Sequence, residues 1–89
     1  MGDVTLHVTD TAVASMAAAA ARAVPGVVVL SAELAPDPEP FVRVAIMIPT
    51  GDNCRDIAAA VQRSVTRTLA EQWGRSATVE VTVAEVALP

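Results

Sequence analysis

The sequence predicts an α+β fold, a two-layer sandwich in which two helices cover one face of a mostly antiparallel sheet. Three observations carry this expectation. Apolar and polar residues alternate at 4–8 and 79–84, and every second residue of 41–48 is Val or Ile, the period of half-buried strands. Residues 11–24 and 54–73 instead space their larger apolar side chains at helical intervals. The chain has 89 residues, enough for one hydrophobic core and not for two, so residues 1–89 are read as a single domain.

Taken in order, Val4, Leu6 and Val8 alternate with Thr5, His7 and Thr9, which predicts a first strand. Thr9 can then accept the free amides at the start of a helix, and Asp10 places an anion at its positive end. That helix is expected from Thr11 to Val24, with Val13, Met16, Ala17, Ala20 and Val24 on the buried face. Pro25-Gly26 stops it, the glycine being able to take a left-handed cap. Val27 to Leu34 reads as a second strand. The prolines at 36, 38 and 40 remove backbone donors and make the next segment the turn of a wide hairpin. Phe41 to Ile48 is the clearest strand, with Val42, Val44, Ile46 and Ile48 on one side and Phe41, Arg43, Ala45 and Met47 on the other. Asp52 or Asn53 is the expected cap of a second helix, which runs to about Trp73 and ends at Gly74. Ile57, Val61, Val65 and Leu69 form its buried stripe, with Cys54, Ala58 and Thr68 alongside. Thr78 to Val86 is the last strand, completing a β-α-β-β-α-β order.

Composition excludes several classes of function. The chain is 53% hydrophobic, much of it alanine, and its aromatics are Phe41 and Trp73, so the core must be aliphatic. The net charge is −4 and all six cations are arginines, which leaves neither the basic footprint nor the stacking platforms of a nucleic-acid-binding protein. Thr11 to Ala21, the longest uncharged stretch, is too short to span a bilayer, so direct membrane insertion is not expected. Met1-Gly2-Asp3 opens without a basic segment or an apolar run, which gives the expectation of a cytoplasmic protein.

Catalytic chemistry finds little to use. Cys54 stands in the first turn of the second helix, where the dipole favours a thiolate, but Asp52 and Asp56 oppose that effect and His7 is remote in sequence. It reads as a small apolar residue beneath the helix start. His7 and Cys54 together fall short of a zinc set, and Asp52 with Asp56 reads as a cap and a first-turn anion. Thr50-Gly51-Asp52 is too short and too acidic for a phosphate loop. The expectation is therefore a non-enzyme with no catalytic, cofactor-binding or metal residues.

The surfaces are more informative. Arg55, Arg63 and Arg67 are placed on the outer side of the second helix with Arg75 just beyond it, either a solvated face or a guanidinium ridge for an acidic partner or lipid headgroups. Ala14, Ser15, Ala18 and Ala19 form an uncharged outer face on the first helix, which either reflects helix propensity or allows close approach of a partner. Phe41, Ala45 and Met47 are apolar where the far face of the sheet should be polar, which favours self-association. The candidate protein-interaction residues are Phe41, Ala45, Met47, Ala14, Ala18, Arg63 and Arg67.

Several segments resemble the alkaline shock protein family, the envelope stress response proteins of Gram-positive bacteria. The first is Val8-Thr9-Asp10-Thr11-Ala12-Val13-Ala14, similar to that family's capped helix start, followed by Ala23-Val24-Pro25-Gly26-Val27 at the helix end. Ala58-Ala59-Ala60-Val61-Gln62-Arg63-Ser64-Val65 is similar to its second helix, and Val79-Glu80-Val81-Thr82-Val83-Ala84-Glu85-Val86 to its last strand. The chain departs from the pattern where Pro36 to Pro40 replaces a longer segment and where Thr50-Gly51 stands for a Tyr-Gly pair, as in a short, divergent member. The resemblance implies a non-enzymatic cytoplasmic protein that forms homo-oligomers and binds membrane-anchored partners at the inner face of the cell membrane. A different class fits the same element order, a small-ligand-binding regulatory module of the ferredoxin-like sensor type.

Overall fold

The structure is a computed structural model that describes residues 8–35, 38–48 and 54–86. These form α1 (Asp10–Arg22), β1 (Val28–Ala35), β2 (Phe41–Ile48), α2 (Cys54–Gln72) and β3 (Thr78–Val86), the α+β arrangement expected. The first expected strand lies outside the described residues apart from Val8, as do His7, Thr50, Gly51 and the expected caps Asp52 and Asn53.

Local chemistry accounts for the helix limits. Thr9 has extended backbone angles, and its hydroxyl oxygen accepts the Ala12 amide at 3.1 Å, satisfying one of the free donors of α1. At the other end Ala23 donates to the Ala19 carbonyl at 3.2 Å and Val24 to Ala21 at 3.1 Å, before Pro25 makes continuation impossible. Gly26 then takes φ +81°, a left-handed conformation that a side chain would strain. The carbonyl of Leu69 accepts both the Trp73 and the Gly74 amides, at 2.9 and 3.1 Å, and Gly74 turns the chain out of α2 at φ +75°.

The sheet has the order β1-β2-β3. The proline segment joins β1 and β2 as an antiparallel hairpin, and β3 joins the other side of β2 in parallel. The described sheet is therefore mixed, and α2 is the reason. Its 19 residues rise about 28 Å, close to the roughly 26 Å of an eight-residue strand, so the helix returns the chain to the end where β2 began. A crossover of this kind is what parallel neighbours require. The Thr78 amide then donates to the Pro40 carbonyl at 3.0 Å at the start of the ladder.

Both helices pack on one face of β2, where Val42, Val44, Ile46 and Ile48 are fully buried. Val13, Ala17, Ala20 and Ala21 of α1 and Val61, Val65 and Leu69 of α2 close over them, with Met16, Val24, Ile57 and Cys54 packed around this centre. Small alanine side chains let the two helices approach, and the Ser64 hydroxyl donates across that contact to the Ala20 carbonyl at 2.8 Å. No charged or polar side chain is buried among the described residues, so burial of aliphatic surface drives the fold.

Ile46→Ala is expected to lower the unfolding free energy by about 2–5 kcal/mol and Thr9→Ala by about 1 kcal/mol, both read from urea denaturation midpoints.

Candidate functional site

The alternation that buries one side of β2 turns its other side outward. Phe41, Arg43, Ala45 and Met47 occupy the sheet face that neither helix covers. The strand registers extend this into rows across the sheet: Ala35, Phe41 and Thr78; then Glu33, Arg43 and Glu80; then Ser31, Ala45 and Thr82; then Val28 beside Met47.

The second row divides the face. The Arg43 guanidinium lies 5.7 Å from the centre of the Phe41 ring, and its Nε is 3.9 Å from Glu80 Oε1. Both charged side chains are about half exposed, so the pair adds little stability, but it holds Arg43 over the Phe41 end. In the next row Ala45 lies between exposed Ser31 and Thr82, and beyond it Met47 stands beside Val28. Ala45 and Met47 are half-buried by their neighbours, and Val28 and Leu30 are 41% and 47% exposed. Leu30 has no opposite number on β2, because the register shifts between Val29 and Ser31, and this bulge pushes an extra apolar side chain to the edge.

The structure brings Phe41, Ala45 and Met47 together on one face, but the other candidates lie elsewhere. Ala14 and Ala18 are half-buried, turned toward β1 instead of straight to solvent, while Ser15 and Ala19 are exposed. The burial of Val13, Ala17 and Ala20 sets this rotation of α1 and leaves a shallow groove of about 260 Å³ between Ala14, Ala18 and Leu30. Arg63 and Arg67 are exposed on the outer side of α2, near Glu71 in sequence. The two other arginines do not extend their ridge. Arg55 lines a wider groove of about 570 Å³ between α2 and β3, with Ala58, Ala59 and Val81. Arg75 stacks over Trp73 at 4.8 Å. In the same region Gln62 Nε2 donates to the Val79 carbonyl at 3.2 Å, tying α2 to the last strand.

Cys54 is half-buried at the start of α2 and packs against the core. Among the described residues no three His, Cys, Asp or Glu side chains gather where they could hold a metal ion, and no helix is long and apolar enough to cross a membrane. Sequence reasoning missed Val28 and Leu30 as surface residues. Strand β1 reads as a continuous apolar run at its start, and the bulge that exposes Leu30 leaves no local signal.

Comparison with family models, with curated proteins and with solved structures finds no match.

Because Met47 and Ile46 face opposite sides of the sheet, Met47→Lys is expected to change stability by no more than about 0.5 kcal/mol, whereas Ile46→Lys prevents folding. Thermal melts followed by circular dichroism distinguish the two.

Proposed function

We propose that this domain is a non-enzymatic protein-interaction and assembly module that docks a partner on its open sheet face. One observation carries the reading: on the face that neither helix covers, Ala45 and Met47 of β2 stand beside exposed Val28 of β1, with Phe41 beyond the Arg43 row. Antiparallel and mixed sheets that leave one face to solvent normally present polar residues there, and apolar side chains grouped on such a face point to a contact surface. The Arg43 row gives such a surface a polar boundary, which orients a partner without supplying most of its affinity.

The motifs at residues 8–14, 23–27, 58–65 and 79–86 support placing this module in a cell-envelope stress response, with self-association and a membrane-anchored protein as its contacts at the inner face of the cell membrane. In that setting the membrane is reached through the partner, and exposed Arg63 and Arg67 are available to an acidic surface.

A second reading, a small-ligand-binding regulatory module, is favoured by the groove between α2 and β3. It is a wide, open groove in which Arg55 offers a charge beside Ala58, Ala59 and Val81. This reading predicts a rise in melting temperature with some member of a metabolite panel.

A photocrosslinking residue in place of Thr82, on the open face, is expected to give discrete adducts in cells that Met47→Lys reduces about tenfold. Adducts that are absent, or unchanged by Met47→Lys in a folded protein, overturn the interaction reading.

A further inference from the structure

The flank of α1 above β1 has the pattern of a surface that meets its own copy. Asp10, Ala14, Ala18 and Arg22 follow one another at four-residue spacing and form a single ridge along about 18 Å of helix. The ridge is acidic at one end and basic at the other, and both end residues are exposed without an ion-pair partner among the described residues. Its middle is two alanines, and α1 carries no charge between Asp10 and Arg22. Directly beneath, the bulge of β1 presents Leu30 into the same groove, 47% exposed.

We propose that this flank is a two-fold interface between two copies of the chain, with α1 packed antiparallel to the partner's α1 about the level of Met16. A two-fold there sets Asp10 of each copy against Arg22 of the other, at both ends, and Ala14 against Ala18 in the middle. A parallel arrangement would oppose Asp10 to Asp10 and Arg22 to Arg22, so the charges select the antiparallel orientation. The alanines allow the helices to approach closely, and no charge is buried between the two ion pairs. Leu30 loses its exposure under the partner. The register shift at Leu30 interrupts the strand edge, so side chains and not a continued hydrogen-bond ladder make the contact. The interface is isologous, as closed dimers require. The inference rests on the assembly reading above, but it places self-association on the α1–β1 flank and leaves the open face to another partner.

Sedimentation equilibrium of the whole chain at low ionic strength tests it. Asp10→Arg alone and Arg22→Asp alone each set like charges together at both ends, and each is expected to weaken dimerisation about tenfold. An equimolar mixture of the two variants restores opposite charges at both ends and is expected to recover wild-type affinity as a heterodimer. Each reversal also opposes the helix dipole, but that effect is the same alone and in the mixture, so recovery on mixing reads the contact itself. If a reversal does not fold, Asp10→Asn and Arg22→Gln replace it, with an expected weakening of about threefold. Unchanged affinity in the single variants, a mixture no tighter than its components, or a wild-type chain that stays monomeric at high micromolar concentration overturns the proposal. Loss of dimer in Met47→Lys with none in the charge variants also overturns it, while leaving the open-face reading intact. Failure of the open-face crosslinks beside a charge-swapped heterodimer sinks that reading alone.

Discussion

The burial of alternate side chains on β2 is the constraint on which the rest of this molecule depends. Val42, Val44, Ile46 and Ile48 have no access to solvent, and they sit in the middle strand, so both helices and both outer strands are arranged around them. A slip of one residue would bring Arg43 into the core and turn every one of these side chains outward, which is why the register is well specified. The same alternation creates the open face. Stability and the candidate binding surface are two sides of one strand, and a substitution acts on one or the other according to the parity of its position.

The helix layer obeys a different rule. With Phe41 and Trp73 as its aromatics, the chain fills the space between helices and sheet with Val, Leu, Ile and alanine. Alanine at 17, 20 and 21 brings α1 close to its neighbours, close enough for the Ser64 hydroxyl to reach the Ala20 carbonyl. Each such residue buries little area, so the domain relies on close approach more than on large side chains. One consequence is that α1 keeps a smooth flank above β1. The open face and this flank are unlike surfaces, one a strand array with a charged row, the other a helical ridge with charged ends, and they suit different contacts.

The arginines show how an acidic domain can use cations without becoming a polyanion binder. Arg43 spans Phe41 and Glu80, Arg75 covers Trp73, and Arg55 borders the groove beside β3. Each serves a separate location, Arg22 stands in the last turn of α1, and Arg63 and Arg67 lie side by side on the outside of α2. Planar guanidinium groups suit this use because they stack on rings while still reaching a carboxylate.

The sequence by itself determined the identity and approximate limits of α1, β1, β2, α2 and β3, the two faces of β2, and the buried stripe of α2. These follow from periods of two and 3.6 residues and from punctuation by Thr9, Pro25, Gly26 and Gly74, all of which act over a few neighbours. Only the tertiary structure decided that β3 lies parallel to β2, that Ala14 and Ala18 turn toward β1, that Arg55 leaves the arginine ridge, and that Leu30 is pushed out at a bulge. Strand direction depends on the length of α2 measured against the sheet, and helix rotation depends on which side chains the other layer accommodates. Such choices are settled by contacts between residues far apart in sequence, so no local pattern records them.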